Sequence, residues 1–102
     1  MFGEGLAWAS LNCAYWPVRP TGEAQQIKAK GAAPIVVVGT TRDPATPYRW
    51  AKGLAGQLSS ARLLTYDGDG HTAYGRGSAC IDSAINSYLL AGTPPKDGKR
   101  CS

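Results

Sequence analysis

The feature that most constrains the fold of this chain is the stretch Ile35–Val38, four consecutive β-branched residues between Pro34 and Gly39. A strand with one face in water alternates apolar and polar residues, whereas this stretch is apolar at every position. Such a pattern is typical of a strand that is covered on both faces, as in a parallel sheet flanked by helices. We therefore predict a buried strand over residues 35–39.

A helix and a second strand are predicted to follow. Thr46 is a suitable N-cap residue, and Pro47 suits the first helical turn. The apolar residues after it recur on one helical face; they are Trp50, Ala51, Leu54, Ala55 and Leu58. Residues 61–66 (ARLLTY) then predict a second strand. A helix that connects two strands favours their parallel pairing, so the fold class is predicted to be α/β, with two parallel strands.

The last helix is predicted to begin after Ser78, a suitable N-cap, and to end at Gly92. Its apolar residues follow the helical period; they are Ile81, Ala84, Ile85, Tyr88 and Leu89. Residues 93–102 are interpreted as a polar extension. Residues 1–34 are interpreted as an N-terminal helix and loop connector. Residues 35–102 then form the segment that contains the two strands, the two helices and the extension.

Charge and hydropathy argue against two classes of function. The 11 lysines and arginines are scattered along the 102 residues and give a net charge of only +4, whereas nucleic-acid-binding proteins concentrate basic residues on one face. No apolar run is long enough to span a membrane. Residues 1–16 also lack the basic n-region of a signal peptide, and Glu4 interrupts their apolar stretch.

Two residues of catalytic type follow the two predicted strands. Asp43 comes after the first strand, and His71, the only histidine, comes after the second. The carboxyl ends of neighbouring parallel strands lie at one edge of a sheet, where ligands bind and chemistry occurs. A carboxylate that holds one imidazole nitrogen leaves the other free to act as a general base. From spacing alone an alternative remains open, because Asp43-Pro44 is also typical of a turn.

Three longer stretches carry a family resemblance: PIVVVGTTRDPATPYRWAKGLAGQL, ARLLTYDGDGHTAYG and CIDSAINSYLLAGTPP. They contain a G-x-x-x-D-P-x-T-P segment, then G-x-G-H-T, then a helix that opens with cysteine, and a cysteine close to the end. Together they resemble the C-terminal part of α/β-hydrolase-fold serine peptidases. The similar group is the tripeptidyl-aminopeptidase-like enzymes of actinomycetes, which are related to prolyl aminopeptidases.

The resemblance implies a role for several residues. Asp43 and His71 match the acid and the histidine of a Ser-Asp-His triad, in a secreted exopeptidase that acts on peptides. Cys80 and Cys101 match a disulfide pair, which leaves Cys13 as the odd cysteine. Disulfides imply an exported protein, secreted or associated with the cell envelope. No cofactor is implied.

Metal chemistry is not expected. Asp67 and Asp69 are interpreted as a polar turn before His71, because a calcium loop would require a glutamate where Ser78 stands. A single histidine and the absence of a C-x-x-C pair argue against zinc.

The nucleophile of the triad is not found in this sequence. None of its serines lies in a G-x-S-x-G elbow, and Ser78 follows the histidine and is better interpreted as a helix cap. Cys13 has no neighbour that would activate its thiol. We therefore predict that the isolated chain is inactive and that an upstream hydrolase segment supplies the serine. The alternative is a truncated, non-catalytic remnant or a module that binds a partner.

Two strands alone would leave one sheet edge unpaired and apolar residues partly uncovered. Exposed edges promote association. We therefore expect either self-association or pairing with a chain that carries the rest of the sheet.

Overall fold

A computed structural model describes the chain from residue 3 to residue 102, so the first two residues of the predicted connector lie outside the described part. Six elements occur along the chain. They are α1 (Gly3–Ala14), β1 (Ile35–Arg42), α2 (Tyr48–Gln57), β2 (Ala61–Asp69), α3 (Ala79–Ala91) and β3 (Lys99–Cys101).

The three strands form one parallel sheet in the order β1-β2-β3. The predicted α/β class and the parallel crossover between the first two strands are therefore confirmed. Both strands are longer than predicted and reach Arg42 and Asp69, and their pairing contains an irregularity between Thr40 and Arg42. The longer strands bring the polar residues at their ends into the sheet.

The third strand corrects the interpretation of residues 93–102 as a polar extension. Lys99–Cys101 pairs with Leu64–Tyr66 of β2. A disulfide joins Cys101 to Cys80 at the start of α3. The side chain of Asp97 also accepts a hydrogen bond from the backbone N–H of Leu63 at 2.8 Å. The disulfide and this hydrogen bond hold a short polar segment in the sheet. The residue pattern of the segment does not indicate a strand.

The main core lies on one face of the sheet, under α3. Its buried members come from β2, α3, β3 and the segment after β2; they are Leu64, Ala73, Ile81, Ala84 and Cys101. As predicted, Ser78 caps α3, with its hydroxyl accepting a hydrogen bond from the backbone N–H of Ile81, and Gly92 adopts a left-handed conformation at the helix C-cap. Leu64 and Ile81 are fully buried, so this face anchors the sheet.

The opposite face packs against α2 through a close contact at Gly39. A Cβ atom at this position would lie 2.7 Å from the Cβ of Ala51 and 2.9 Å from the ring of Tyr48. The Tyr48 hydroxyl also lies 2.8 Å from the hydroxyl of Thr65 on β2. Glycine at position 39 therefore lets α2 approach the strand that ends near Asp43.

β1 is an edge strand of the described sheet and is less covered than its sequence predicts. Val37 is buried, but Val38 is 36% exposed, and Trp50 and Leu54 on the predicted packing face of α2 are also exposed. Both faces of β1 have a helix beside them, yet no strand in residues 3–102 pairs with its outer edge. The expectation that β1 is only partly covered therefore describes this structure.

The segment before β1 is held by hydrogen bonds near its end, where the backbone N–H of Ser59 donates to the carbonyl of Lys28 at 2.8 Å. The hydroxyl of Tyr88 in α3 donates a hydrogen bond to the carbonyl of Pro34 at 2.7 Å. Trp8, Tyr15 and Trp16 are exposed. Within the described residues, no helix has the length and apolar character needed to cross a membrane.

Substitution of Gly39 by alanine is expected to destabilise the chain by about 1–3 kcal/mol, because the new methyl group would overlap the Cβ of Ala51 and the ring of Tyr48 in α2. Gly53→Ala in α2 is the matched control, because a Cβ atom at position 53 would meet no atom within 4 Å. This substitution should stabilise the helix by up to about 1 kcal/mol. Urea denaturation of the two variants measures the difference. Equal midpoints would contradict the close packing of α2 on β1.

Candidate active site

The carboxyl ends of β1 and β2 bring the two predicted site residues together. The Nδ1 atom of His71 lies 3.1 Å from Oδ1 and 3.0 Å from Oδ2 of Asp43. The residues are separated by 28 positions in sequence and meet because the two parallel strands end at the same edge of the sheet. The contact joins the acid and the imidazole directly.

Asp43 is held by a dense set of hydrogen bonds. Its Oδ1 accepts from the backbone N–H groups of Ala45 and Thr46, both at 2.8 Å. Its Oδ2 accepts from the Thr46 hydroxyl at 2.7 Å and from the backbone N–H of Thr72 at 3.3 Å. Only 4% of the side chain is exposed. These hydrogen bonds therefore fix the position of the carboxylate.

These donors also set the charge of Asp43. The backbone N–H of Thr46 is the largest cause that holds the pKa of the Asp43 carboxyl well below its usual range, and the Thr46 hydroxyl, the Ala45 N–H and His71 act in the same direction. Burial opposes them. The carboxylate is consequently ionised at neutral pH, as is required of a group that faces an imidazolium.

Thr46 has a different role from the predicted helix cap. The N-cap of α2 is Pro47, and no side-chain hydrogen bond caps this helix. The Thr46 hydroxyl instead donates to Asp43 and lies 3.4 Å from the Nδ1 of His71. The sequence contains one indication of this role: Thr46 lies three residues after an aspartate. Aspartate and threonine side chains often form hydrogen bonds with neighbouring residues in turns.

The imidazole of His71 is bonded on one side, and its side chain is 53% exposed. Among the described residues, all of its hydrogen-bond contacts involve Nδ1. With a proton on Nδ1 donated to Asp43, the Nε2 atom carries a lone pair that points away from the carboxylate. This is the arrangement of a general base held by an acid.

Asp67 and Asp69 lie in β2 rather than in the predicted turn, and they bind arginines. Nε of Arg42 lies 2.6 Å from Asp69, and Nη1 lies 3.1 Å from Asp67. Arg100 of β3 also contacts Asp67 at 3.1 Å. Arg100 and Arg42 are the leading causes that lower the pKa of Asp67 and Asp69, respectively. The two carboxylates connect the ends of the three strands and leave Asp43 as the partner of His71.

An apolar groove borders Asp43 along the open edge of β1. Its volume is about 460 Å³. Side chains from both sheet faces contribute to it, including Val38, Trp50, Leu54 and Tyr74. The groove begins at the acid and runs along the strand edge that is unpaired in residues 3–102.

The structure also locates the other residues considered from the sequence. Ser78 is buried at the start of α3, where its hydroxyl donates to the carbonyl of Ser102, so it serves the fold. Cys80 and Cys101 form a disulfide, and Cys13 is an exposed free thiol in α1. Within the described chain, no cluster of three or more histidine, cysteine or acidic residues is arranged to hold a metal ion.

The lowered pKa of Asp43 predicts a loss of stability in acid. Its unfolded-state value is close to 3.8 and its folded-state value is lower. Its contribution is therefore complete above about pH 5 and is lost as the pH falls through 3.8 toward the folded-state value. Asp43→Asn should flatten this part of the stability curve between pH 5 and pH 2, measured by urea denaturation. An unchanged curve for Asp43→Asn would contradict the hydrogen bonds described.

Comparisons with known proteins identify the family of this chain. A family model described as TAP-like protein matches residues 1–101. The serine protease Hip1 of Mycobacterium tuberculosis is 48% identical over 101 residues, which are 98% of this chain and 19% of Hip1. Carboxylesterase B of M. tuberculosis is 48% identical over 88% of this chain and 17% of its own length. Tripeptidyl aminopeptidase of Streptomyces lividans is 37% identical over 84% of this chain and 16% of its own length.

The chain thus spans less than a fifth of the length of these relatives. The family match covers nearly all of its residues, and the parallel α/β sheet agrees with a C-terminal segment of the α/β-hydrolase fold. This chain belongs to the TAP-like protein family of α/β hydrolases.

Proposed function

We propose that this chain is the C-terminal segment of a serine exopeptidase, in which His71 is the general base and Asp43 is the acid that orients it. The observation that carries the proposal is the contact of His71 Nδ1 with both oxygens of Asp43, in a half-exposed imidazole whose Nε2 has no hydrogen-bond partner among the described residues. A serine on an upstream segment would donate its proton to Nε2 as it attacks the peptide carbonyl. The imidazolium would then return this proton to the leaving amine.

The remaining parts of the reaction belong to that upstream segment. In α/β hydrolases the nucleophile elbow and the oxyanion-hole donors precede the acid and the histidine in chain order. The open edge of β1 and the groove beside Asp43 offer the place at which such a segment would extend the sheet. The peptide substrate is proposed from the names of relatives, two of which are a serine protease and a tripeptidyl aminopeptidase.

We also propose that the protein is exported, either secreted or associated with the cell envelope. The Cys80–Cys101 disulfide supports this location, because disulfides persist in oxidising compartments. Fractionation of cells that express the complete protein tests it, and recovery only from the cytosol would contradict it.

The function is tested by fusing residues 1–102 to an upstream segment from a relative that carries the nucleophile serine. The fusion is expected to hydrolyse tripeptidyl anilides and to react with a fluorophosphonate probe. The 102-residue chain alone is expected to do neither, because its serines lack the nucleophile-elbow pattern. Labelling of the isolated chain, or an inactive fusion that is correctly folded, would contradict the proposal.

A second candidate is a non-catalytic module that binds a partner or itself through β1. The exposed edge strand and the exposed Val38, Trp50 and Leu54 favour it. Sedimentation of the isolated chain should then show a dimer or a larger species. A monomer that unfolds cooperatively would argue against this candidate.

A further inference from the structure

The turn that carries His71 has an unusual backbone on both sides of the histidine. Gly70 has a φ of 110° and Thr72 has a φ of 70°. Glycine adopts positive φ angles readily, whereas a β-branched residue such as threonine does so only when the surrounding structure imposes it. Some contact must therefore hold Thr72 in this conformation.

Both backbone polar groups of Thr72 are bound by side chains from the end of β1. Its N–H donates to Oδ2 of Asp43 at 3.3 Å, and its carbonyl accepts from the hydroxyl of Thr40 at 3.0 Å. Thr40 is only 3% exposed, so water cannot replace this hydrogen bond without local opening. The two contacts fix the peptide groups that flank the Cα atom of Thr72.

We propose that Thr40 is a positioning residue for His71. By holding the carbonyl of Thr72, the Thr40 hydroxyl keeps the turn closed and keeps the Nδ1 of His71 on Asp43. Without it, Thr72 can relax to a negative φ, which rotates the preceding peptide and moves the imidazole away from the carboxylate. The inference rests on the proposed function for its catalytic consequence, but the position of the imidazole can be measured independently of activity.

The tautomer of His71 provides that measurement. His71 is the only histidine of the chain, so ¹⁵N-histidine labelling gives one pair of ring resonances for the intact 102-residue protein. At a pH at which the ring is neutral, the wild type should carry its proton on Nδ1, where Asp43 accepts it. Thr40→Val keeps the shape of the side chain but removes the donor. It should lower the ratio of the Nδ1–H to the Nε2–H tautomer about five- to tenfold, the effect of one lost hydrogen bond.

Two control variants separate positioning from general stability. Thr40→Ser retains the hydroxyl and should keep the wild-type ratio. Thr65→Val removes another buried threonine hydroxyl, which contacts Tyr48 on the other face of the sheet, and it should leave the ratio unchanged. A folded Thr40→Val variant with the wild-type ratio, or an equal change in Thr65→Val, would overturn the inference.

The Thr72→Gly variant keeps the test decisive if Thr40→Val does not fold. Thr72→Gly removes the backbone strain, so Thr40→Val should fold in its background and should change the tautomer ratio less than about twofold relative to Thr72→Gly alone. A double variant that still does not fold, or a five- to tenfold change in its ratio, about the effect of one lost hydrogen bond, would overturn the proposed mechanism.

In the active fusion, Thr40→Val should lower kcat with little change in KM, and Thr40→Ser should restore kcat. If the wild-type fusion is inactive, the proposed function fails, while the tautomer ratio still decides the role of Thr40.

Discussion

In the fusion of residues 1–102 to an upstream segment that carries the serine, replacement of Asp43 by asparagine is expected to lower kcat by about four orders of magnitude, the usual cost of this change in a Ser-His-Asp triad. An asparagine amide can place its NH₂ group against Nδ1 and thus favour the tautomer with the proton on Nε2. Nε2 then cannot accept the proton of the serine. Because Asp43 also accepts three hydrogen bonds from the 45–46 segment, local order is affected as well.

Asp69→Asn is the matched control for this loss. Asp69 is two residues from His71 in sequence, but its carboxylate binds Arg42 and has no contact with the imidazole in the described structure. Its replacement should change kcat less than about threefold, as is usual for an exposed ion pair. Hydrolysis of a tripeptidyl anilide by folded fusions measures both variants. Similar losses in the two variants, or full activity of Asp43→Asn, would contradict the proposed role of Asp43.

Much of the frame of the site could be predicted from the sequence. The apolar stretch at Ile35–Val38 and the helix after it predict a parallel crossover, and the crossover brings Asp43 and His71 to one edge of the sheet. The crossover could be predicted because it depends on the burial pattern of many residues and on the order of the elements, rather than on one contact. The geometry of a parallel pair then determines where loops that are distant in sequence emerge.

The details that escaped prediction depend on single long-range contacts. Thr46 has the sequence context of a helix cap, yet its hydroxyl binds Asp43, and only the folded position of the carboxylate decides between the two. Asp67 and Asp69 resemble turn residues because their arginine partners lie on other strands, 25 or more positions away. The strand at Lys99–Cys101 is too short and too polar to show a period of its own.

Removal of the disulfide that anchors this third strand is expected to cause a large loss of stability. The Cys80→Ala/Cys101→Ala variant should lose about 3 kcal/mol of stability, because the bond closes a loop of about 20 residues in the unfolded chain. Domains of this size have only about 5–15 kcal/mol in total. Thermal unfolding should therefore occur more than about 10 °C lower. Reduction of the wild-type protein should give the same shift.

The order in which regions open distinguishes this role from a general loss of packing. Cys101 is buried beside Leu64 and Ile81, and its disulfide joins β3 to the start of α3. Without this bond, the first amides to lose protection from hydrogen exchange should be those of β3.

Arg100 would leave Asp67 with the strand, whereas the contacts between Arg42 and the two aspartates remain within β1 and β2. The pairing of β1 with β2 would then be lost only in global unfolding. Cys13→Ala, at an exposed free thiol, should change stability by less than about 0.5 kcal/mol. Uniform loss of protection along all three strands would show instead that β3 and the disulfide are part of one cooperative unit with the strands that carry Asp43 and His71.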